Sequence, residues 1–153
     1  MGRHDEAEAV YAQAQALFDR LDGPRPSGAP GARLRARRGL NLAKAGRHET
    51  AQWLFAQAQA AFDALPDTES ARLLRARVCA NRAGNLARAD RHLEAESLYG
   101  QAQDLFDALR DAQAHATARA RLRAERAGNL ERCDRPMAAD ILYAQAMALL
   151  QES

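Results

Sequence analysis

The sequence is poor in the residues that build β-sheets. Its 153 residues include two valines, one isoleucine and three threonines, and only 5% of the chain is aromatic. Alanine, leucine, arginine, glutamine and glutamate dominate instead, and these residues favour helices. Hydrophobic residues still make up 47% of the chain, so a core can be buried. Composition and length together predict a single all-α domain, since domains usually contain about 100–200 residues.

Cysteines and long apolar runs are equally scarce. The two cysteines, Cys79 and Cys133, belong to no CxxC or Cys/His cluster, so we expect free thiols rather than a disulfide framework or a zinc site. No apolar run approaches the roughly 20 residues of a membrane span. The charged segment MGRHDEAEA is unlike a signal peptide. We therefore expect a cytoplasmic protein that does not contact a membrane.

One segment of the sequence occurs four times at a constant spacing. The second copy reads GRHETAQWLFAQAQAAFDAL, and the copies begin 44 residues apart at Gly2, Gly46, Asp90 and Asp134. Such self-similarity is typical of a helical solenoid. Apolar residues within a copy recur at helical spacing, which predicts one amphipathic helix per copy. We call these the B helices and expect them to begin near residues 4, 48, 92 and 136.

The segments between the B helices are also predicted to be helical. These A helices are expected at roughly 32–45, 69–89 and 111–133. Each carries a stripe of small residues that lets two helix axes approach closely; in the second A helix the stripe is Ala76, Ala80, Ala83 and Ala87. The Pro/Gly-rich stretch DGPRPSGAPG at 22–31 predicts a loop. The order is therefore B-A-B-A-B-A-B, seven helices.

The pattern [AG]-Gly-Asn-Leu followed by GRHxxAxxx[YF]xxA resembles the tetratricopeptide repeat. The residues that match helix B of that family are Ala51, Phe55 and Ala58 in one copy and Ala95, Tyr99 and Ala102 in the next. The period of 44 is longer than the family's usual 34, and the large aromatic residue early in helix A is missing. Longer repeats of this kind resemble those of kinesin light chains and of bacterial regulatory proteins.

This resemblance implies how the chain is organised. Antiparallel helix pairs would stack into a right-handed superhelix, with the A helices on the concave surface and the B helices on the convex one. One domain would span residues 1–153. Its repeat units would lie at about 2–45, 46–89 and 90–133, followed by a final half repeat at 134–153.

An enzyme is not expected from this sequence. His4, His48 and His92 occupy one repeat position, so stacking would separate them by about 10 Å or more, too far for a shared metal. No nucleophile–base pair or phosphate-binding glycine loop is recognisable, so we expect no catalytic residue, cofactor or metal. The B-helix aromatic residues are predicted to pack in the core; they are Tyr11, Phe55, Tyr99 and Tyr143. Trp53 lies off the apolar stripe and is expected on the outer surface.

Charge is divided between the two sets of helices. The A segments carry net charges of +5, +4 and +2, whereas the B segments carry −3, −2, −2 and −1. The whole chain has a net charge of only +2. With the A helices on the concave side, as the resemblance implies, the groove would be basic and the convex back acidic.

The motif RAGNL occurs at 82–86 and 126–130, and RGLNL occurs at 38–42. Its arginine and asparagine point away from the alanine stripe. Asparagine can hold a peptide backbone and arginine can grip carboxylates. The predicted peptide-binding residues are therefore Arg38, Asn41, Arg82, Asn85, Arg126 and Asn129. A structural role is the alternative, in which Arg82 pairs with one of the periodic aspartates Asp19, Asp63 and Asp107 and Asn85 bridges adjacent A helices.

The leading functional prediction is a non-enzymatic protein-interaction module, or scaffold, that binds an extended acidic or C-terminal peptide. One alternative is a sensor or regulatory fragment that binds a small anionic effector or a signalling peptide. Another is nucleic-acid binding through the arginine-rich helices, which the near-neutral charge and the lack of aromatic residues between the arginines disfavour.

The last helix carries more apolar residues than one face can bury. They are Met137, Ile141, Leu142, Leu149 and Leu150. Terminal repeats of solenoids normally need a polar outer face. We therefore expect either a homodimer through a terminal helix or a neighbouring domain that covers it.

Overall fold

The computed structural model of the chain describes residues 2–22, 29–111 and 113–151, and every regular element in these ranges is helical. The helices are α1 (Arg3–Asp22), α2 (Ala29–Lys44), α3 (His48–Asp63), α4 (Glu69–Arg88), α5 (His92–Asp107), α6 (Ala116–Arg132) and α7 (Pro136–Gln151). The predicted all-α class and the order of seven helices are confirmed for these ranges. None of these helices combines the length and the apolar character that a bilayer span requires.

The B helices are α1, α3, α5 and α7, and their predicted starts agree with the structure to within one residue. The A helices are α2, α4 and α6. Two of their starts were misplaced, since α2 begins three residues before the predicted position 32 and α6 begins five residues after position 111. The centre of the predicted loop, residues 23–28, lies outside the described residues.

The helices form two compact units, Met1–Pro66 and Asp67–Ser153. In the first unit, α2 packs against both α1 and α3. In the second unit, α4 packs on α5, α5 on α6 and α6 on α7, and α6 also touches α4. Each A helix of the second unit therefore contacts the B helix that follows it, and α6 also contacts the B helix that precedes it.

The predicted stripe of small residues packs an A helix against its own B helix. In α4, Ala76 and Ala83 are fully buried in one cluster with Ala95, Tyr99 and Ala102 of α5. Alanines leave room for the larger side chains of α5 in this cluster, Tyr99 and Phe106. A buried Phe or Leu side chain contributes roughly 1.5–3 kcal/mol, so these larger side chains contribute much of the apolar stabilisation of the pair.

The glycines of the motif have different surroundings. In RGLNL, a Cβ on Gly39 would lie 2.9 Å from the Phe55 ring, so no side chain fits there. In RAGNL, alanine takes that position and the glycine moves one residue on. A Cβ on Gly84 would lie 3.6 Å from the Tyr99 hydroxyl, and a Cβ on Gly128 would lie 3.7 Å from the Tyr143 hydroxyl, both ordinary van der Waals distances. Of these three glycines, packing therefore excludes a side chain at Gly39.

The four predicted core aromatic residues have different surroundings. Phe55 and Tyr99 are buried, Tyr11 is half-buried and Tyr143 is exposed. The prediction is therefore confirmed for α3 and α5 and is wrong for Tyr143 of α7. Trp53 is exposed, as predicted.

One turn geometry ends every A helix. After α2, the Arg47 N–H donates to the Leu42 carbonyl over 2.9 Å and the Gly46 N–H donates to Ala43 over 3.2 Å. These two bonds form a Schellman motif around a residue of left-handed conformation, with φ of 77° at Gly46. Asp90 and Asp134 take the same place, with φ of 58° and 56°. The turn fixes the direction in which the next B helix starts.

Replacing Gly46 by alanine should lower the free energy of unfolding by about 1 kcal/mol, because an L-residue disfavours the left-handed conformation. No atom lies within 4 Å of the new Cβ, so the loss is conformational rather than steric. Gly100→Ala is the matched control within α5, where alanine should stabilise the helix by up to about 1 kcal/mol. Urea denaturation of both variants measures the difference, and effects of equal sign would contradict it.

Candidate functional site

The RGLNL motif of α2 holds the first turns of α1. Asn41 Nδ2 donates to the His4 carbonyl over 3.0 Å, and Asn41 Oδ1 lies 2.8 Å from His4 Nδ1. Arg38 pairs with Glu8, with an Nη2–Oε1 distance of 2.6 Å. As the residue number rises along α1 it falls along α2, so the two helices are antiparallel. We call this set of four residues the front clamp.

The front clamp recurs between α5 and α6. Asn129 Nδ2 donates to the His92 carbonyl over 3.0 Å, and Asn129 Oδ1 lies 2.9 Å from His92 Nδ1. Arg126 Nε donates to Glu96 over 2.8 Å, and its Nη1 reaches Gln103 at 2.9 Å. The sequence intervals are identical in both clamps, 37 residues from histidine to asparagine and 30 from glutamate to arginine.

In each front clamp, the arginine pairs with only one of the two carboxylate oxygens of the glutamate. The Arg126 and Glu96 side chains are only 23% and 17% exposed, so water screens the pair weakly. Glu8 Oε2 and Glu96 Oε2 are buried and have no hydrogen-bond partner among the described residues. The arginine therefore supplies the main compensation for burying the carboxylate.

A second contact, the rear clamp, joins the end of the B helix to the same A helix. In the first unit, Asp19 Oδ1 lies 2.8 Å from Arg35 Nη2. In the second, Asp107 accepts from both Arg123 and Arg119, with Nη2–O distances of 2.8 Å. Burial raises the pKa of Asp107, but the hydrogen bonds from Arg123 and Arg119 outweigh it and leave the pKa below its usual range.

One position of the rear clamp departs from the pattern. Cys79 of α4 stands where α2 has Arg35 and α6 has Arg123. The Cys79 thiol is buried and donates to the Leu98 carbonyl over 3.2 Å. Arginine is therefore replaced at this position by a small, apolar side chain that packs against α5.

The structure places five of the six predicted site residues at helix interfaces or in the interior, and Arg82 is half-buried. Arg38, Asn41, Arg126 and Asn129 face the preceding B helix in the front clamps. Asn85 is 1% exposed. Asp19 pairs with Arg35, and Asp107 pairs with Arg123. The alternative structural roles, pairing of Arg82 with a periodic aspartate and bridging of A helices by Asn85, stay predictions. The peptide-binding role of the six residues stays a prediction.

The exposed side of each A helix is rotated about the helix axis from the arginine and asparagine of the motif. The rotation is about 100°, which corresponds to one residue of an α-helix. On α4 this side carries Arg77 and Arg88, and on α6 it carries Arg121 and Arg132. We call it the outer stripe. The two arginines of each stripe are 11 residues apart, which returns to the same face after three turns.

A cavity of about 440 Å³ lies between the outer stripes of α4 and α6. Its lining residues are Gly84, Ala87, Arg88, Asp90, His92, Tyr99, Glu125, Gly128, Asn129 and Arg132. One of the six predicted site residues, Asn129, is among them. Neither Arg88 nor Arg132 forms an ion pair within the part of the chain that the structure describes.

Two arginines and a tyrosine of this cavity are suited to an anion, although its lining also contains the carboxylates of Asp90 and Glu125. Arg88 and Arg132 are exposed and carry forked donors. Burial, with a contribution from Glu125, raises the pKa of the Tyr99 hydroxyl, which therefore remains a donor at neutral pH. Glu125 itself is paired with Arg121 at 2.8 Å. The cavity thus offers two unpaired guanidinium groups and a phenol to a carboxylate or phosphate.

The sequence contains a signal for Arg88 and Arg132, which are not among the predicted site residues. Together with Lys44 they recur at the 44-residue spacing, each two residues after the end of an RGLNL or RAGNL motif. All three lie in the last turn of an A helix, where a cation also complements the helix dipole. Periodicity marks the position, but only the structure shows that these cations border a cavity.

The chain matches none of the models of known protein families, and no curated protein matches it in sequence. Within residues 2–22, 29–111 and 113–151, no group of three or more histidine, cysteine, aspartate or glutamate side chains is arranged to hold a metal ion. The described histidines of the front clamps, His4 and His92, are engaged with asparagine instead.

Arg126→Ala should lower the free energy of unfolding by about 1–3 kcal/mol, because it leaves the Glu96 carboxylate largely buried without its cation. Urea denaturation of the full chain measures the loss. Arg77→Ala is the control, since Arg77 is exposed and forms no described ion pair, and it should change the stability by less than about 0.5 kcal/mol. Equal effects of the two substitutions would show that the clamp contributes nothing.

Acid should weaken the rear clamp. Because the pKa of Asp107 is lower in the folded chain, its contribution is complete above the ordinary aspartate pKa of about 4. The contribution disappears as the pH falls through the lower folded value. The Asp107→Asn variant should therefore be less stable than the parent chain at pH 7. Below pH 4, its stability should fall less than that of the parent. Thermal melts between pH 7 and pH 2 measure both, with exposed Asp104→Asn as a control that should follow the parent protein.

Proposed function

We propose that this chain is a non-enzymatic protein-interaction module, built as a tetratricopeptide-like solenoid, and that it binds an anionic peptide segment between α4 and α6. Support for the repeat architecture comes from the 44-residue period, the alternation of A and B helices and the identical intervals of the two front clamps. In such a stack α4 and α6 are neighbouring A helices, so a ligand would lie across their outer stripes.

The observation that carries the binding proposal is the pair of unpaired arginines at a cavity of ligand size. Small-molecule and peptide pockets usually measure about 300–1,000 Å³, and this one measures about 440 Å³. Many of the other A-helix arginines are neutralised by acidic residues of the B helices, as Arg35, Arg38 and Arg126 are. The positive charge predicted for the groove is thereby concentrated on a few exposed side chains.

The groups at the cavity favour a carboxylate ligand. A guanidinium can bind both oxygens of a carboxylate with two parallel hydrogen bonds, which a lysine ammonium cannot do. Arg88 and Arg132 occupy the same repeat position on neighbouring A helices. Gly84 and Gly128 lie between them and have no side chain, which lets a ligand backbone come close. An acidic side chain or a C-terminal carboxylate of an extended peptide fits these donors.

The Arg88→Glu/Arg132→Glu double variant should bind an acidic peptide at least tenfold more weakly than the parent chain. The probe is a fluorescein-labelled Gly/Ser peptide ending in Asp-Glu-Asp with a free carboxylate, measured by fluorescence anisotropy at 50 and 500 mM NaCl. Binding to the parent should weaken at the higher salt concentration, since the site is open to solvent. A peptide amide of the same sequence separates recognition of the terminal carboxylate from recognition of the side chains.

The matched control is Arg3→Glu/Arg20→Glu, which changes the net charge equally but lies on α1. It should retain the affinity of the parent, and circular dichroism should show that both double variants remain folded. Equal loss in the two variants would mean that only the overall charge matters and would contradict a site at the cavity. Binding of free aspartate as tight as that of the peptide would instead favour the small anionic effector.

A further inference from the structure

A second groove lies between α6 and α7, and its lining is apolar. It encloses about 370 Å³. The residues that line it are Thr117, Ala120, Arg121, Ala124, Tyr143, Ala146, Met147 and Leu150. Met147 and Leu150 are exposed at its edge, so the groove is open to solvent.

The same groove exists one repeat earlier, and there a helix fills it. Moving back by 44 residues, the lining corresponds to residues of α4 and α5, including Ala76, Tyr99, Ala102 and Phe106. These residues are buried in one cluster with Leu122 of α6, and Ala118 packs against that cluster. The occupant of the earlier groove is therefore the face of α6 that carries Ala118 and Leu122.

The exposed fractions of equivalent side chains in the two grooves show which residues α6 covers. Tyr99 of the earlier groove is 3% exposed, whereas Tyr143 at the same repeat position is 36% exposed. Phe106 is likewise buried, while Leu150 in its place is 50% exposed. The two grooves thus share a lining pattern and differ in whether a helix lies over them.

We propose that the α6–α7 groove binds an amphipathic α-helix supplied by a partner protein, in the manner in which the α4–α5 groove holds α6. The interface between α6 and the α4–α5 pair supplies the template. The bound helix carries an alanine and a leucine at the positions of Ala118 and Leu122. In a second copy of this chain the corresponding faces of α4 and α6 are already buried, with Val78 at 1% and Leu122 at 3% exposure, and the equivalent Leu34 of α2 is half-buried.

The polar residues of α7 specify the partner helix further. Asp140 stands at the repeat position of Glu96, is exposed and forms no ion pair among the described residues. It therefore selects an arginine one turn after the leucine, at the position that Arg126 has in α6. Met147 replaces Gln103, which bonds to Arg126 in the earlier groove. The long apolar stem of that arginine packs on Met147 while its charge reaches Asp140.

A synthetic peptide with the sequence of residues 116–132 is a suitable probe, because it carries the leucine and the arginine in the required register. The labelled peptide is titrated with the full chain and followed by fluorescence anisotropy. Saturable binding is expected, weakened at least tenfold by Met147→Glu in the protein and, to a similar extent, by Leu122→Gln in the peptide. Both the peptide change and the exposed position of Met147 leave the fold of the protein intact.

Two further variants test the register and the independence of the site. Asp140→Arg should weaken binding of the original peptide, and an Arg126→Glu peptide should restore it. The Arg88→Glu/Arg132→Glu protein should bind the helical peptide as the parent does, so that failure of the anion site and failure of this groove are distinguishable.

Three results would overturn the proposal. The first is undiminished binding to Met147→Glu, because the peptide then exchanges with α6 or lies elsewhere. The second is equal binding of the Leu122→Gln peptide, which indicates attraction by charge alone. The third is a dimer of the parent chain in sedimentation equilibrium that Met147→Glu dissolves, because the groove then belongs to a second copy.

Discussion

Polar contacts between a B helix and the A helix that follows it determine the register of these two helices. The stripe of small residues on an A helix faces its own B helix, so it does not align the A helix with the B helix before it. The front clamp supplies that alignment, because an asparagine meets a histidine and an arginine meets a glutamate in one alignment only. Half-buried ion pairs add little net stability but can specify an arrangement.

The clamps also connect the architecture with the candidate binding surface. His92 and Asn129 hold α5 against α6 and at the same time line the cavity between α4 and α6. Arg121, on the outer stripe, restrains Glu125 beside Tyr99. A change in a clamp therefore alters the shape of the cavity, and loss of ligand binding in a clamp variant does not by itself identify a ligand contact.

Much of the helix order was predictable from the sequence, because the 44-residue period repeats its turns and apolar stripes together. The starts at His48, His92 and Pro136 follow from copies of one pattern. It was not predictable in this way which face of an A helix packs against a neighbouring helix and which face is exposed. Period and helical wheel show that Arg38 and Arg126 are equivalent and lie off the alanine stripe, but their partners are 30 residues away in the sequence. Because α2 and α6 are buried on two sides, a position off one packing stripe lies on another, and the exposed cations are found one residue further round the helix.

The clamp intervals have a consequence for how such a chain can change its length. Loss of residues 67–110, one period, would bring His48 to the 37-residue interval before Asn129. The same loss would bring Gln52 to the place of Glu96, so Arg126 would keep its register but lose its carboxylate partner. Insertion or loss of whole periods therefore preserves the spacing of the front clamp, while the side chains that meet there decide which B helix can precede α6.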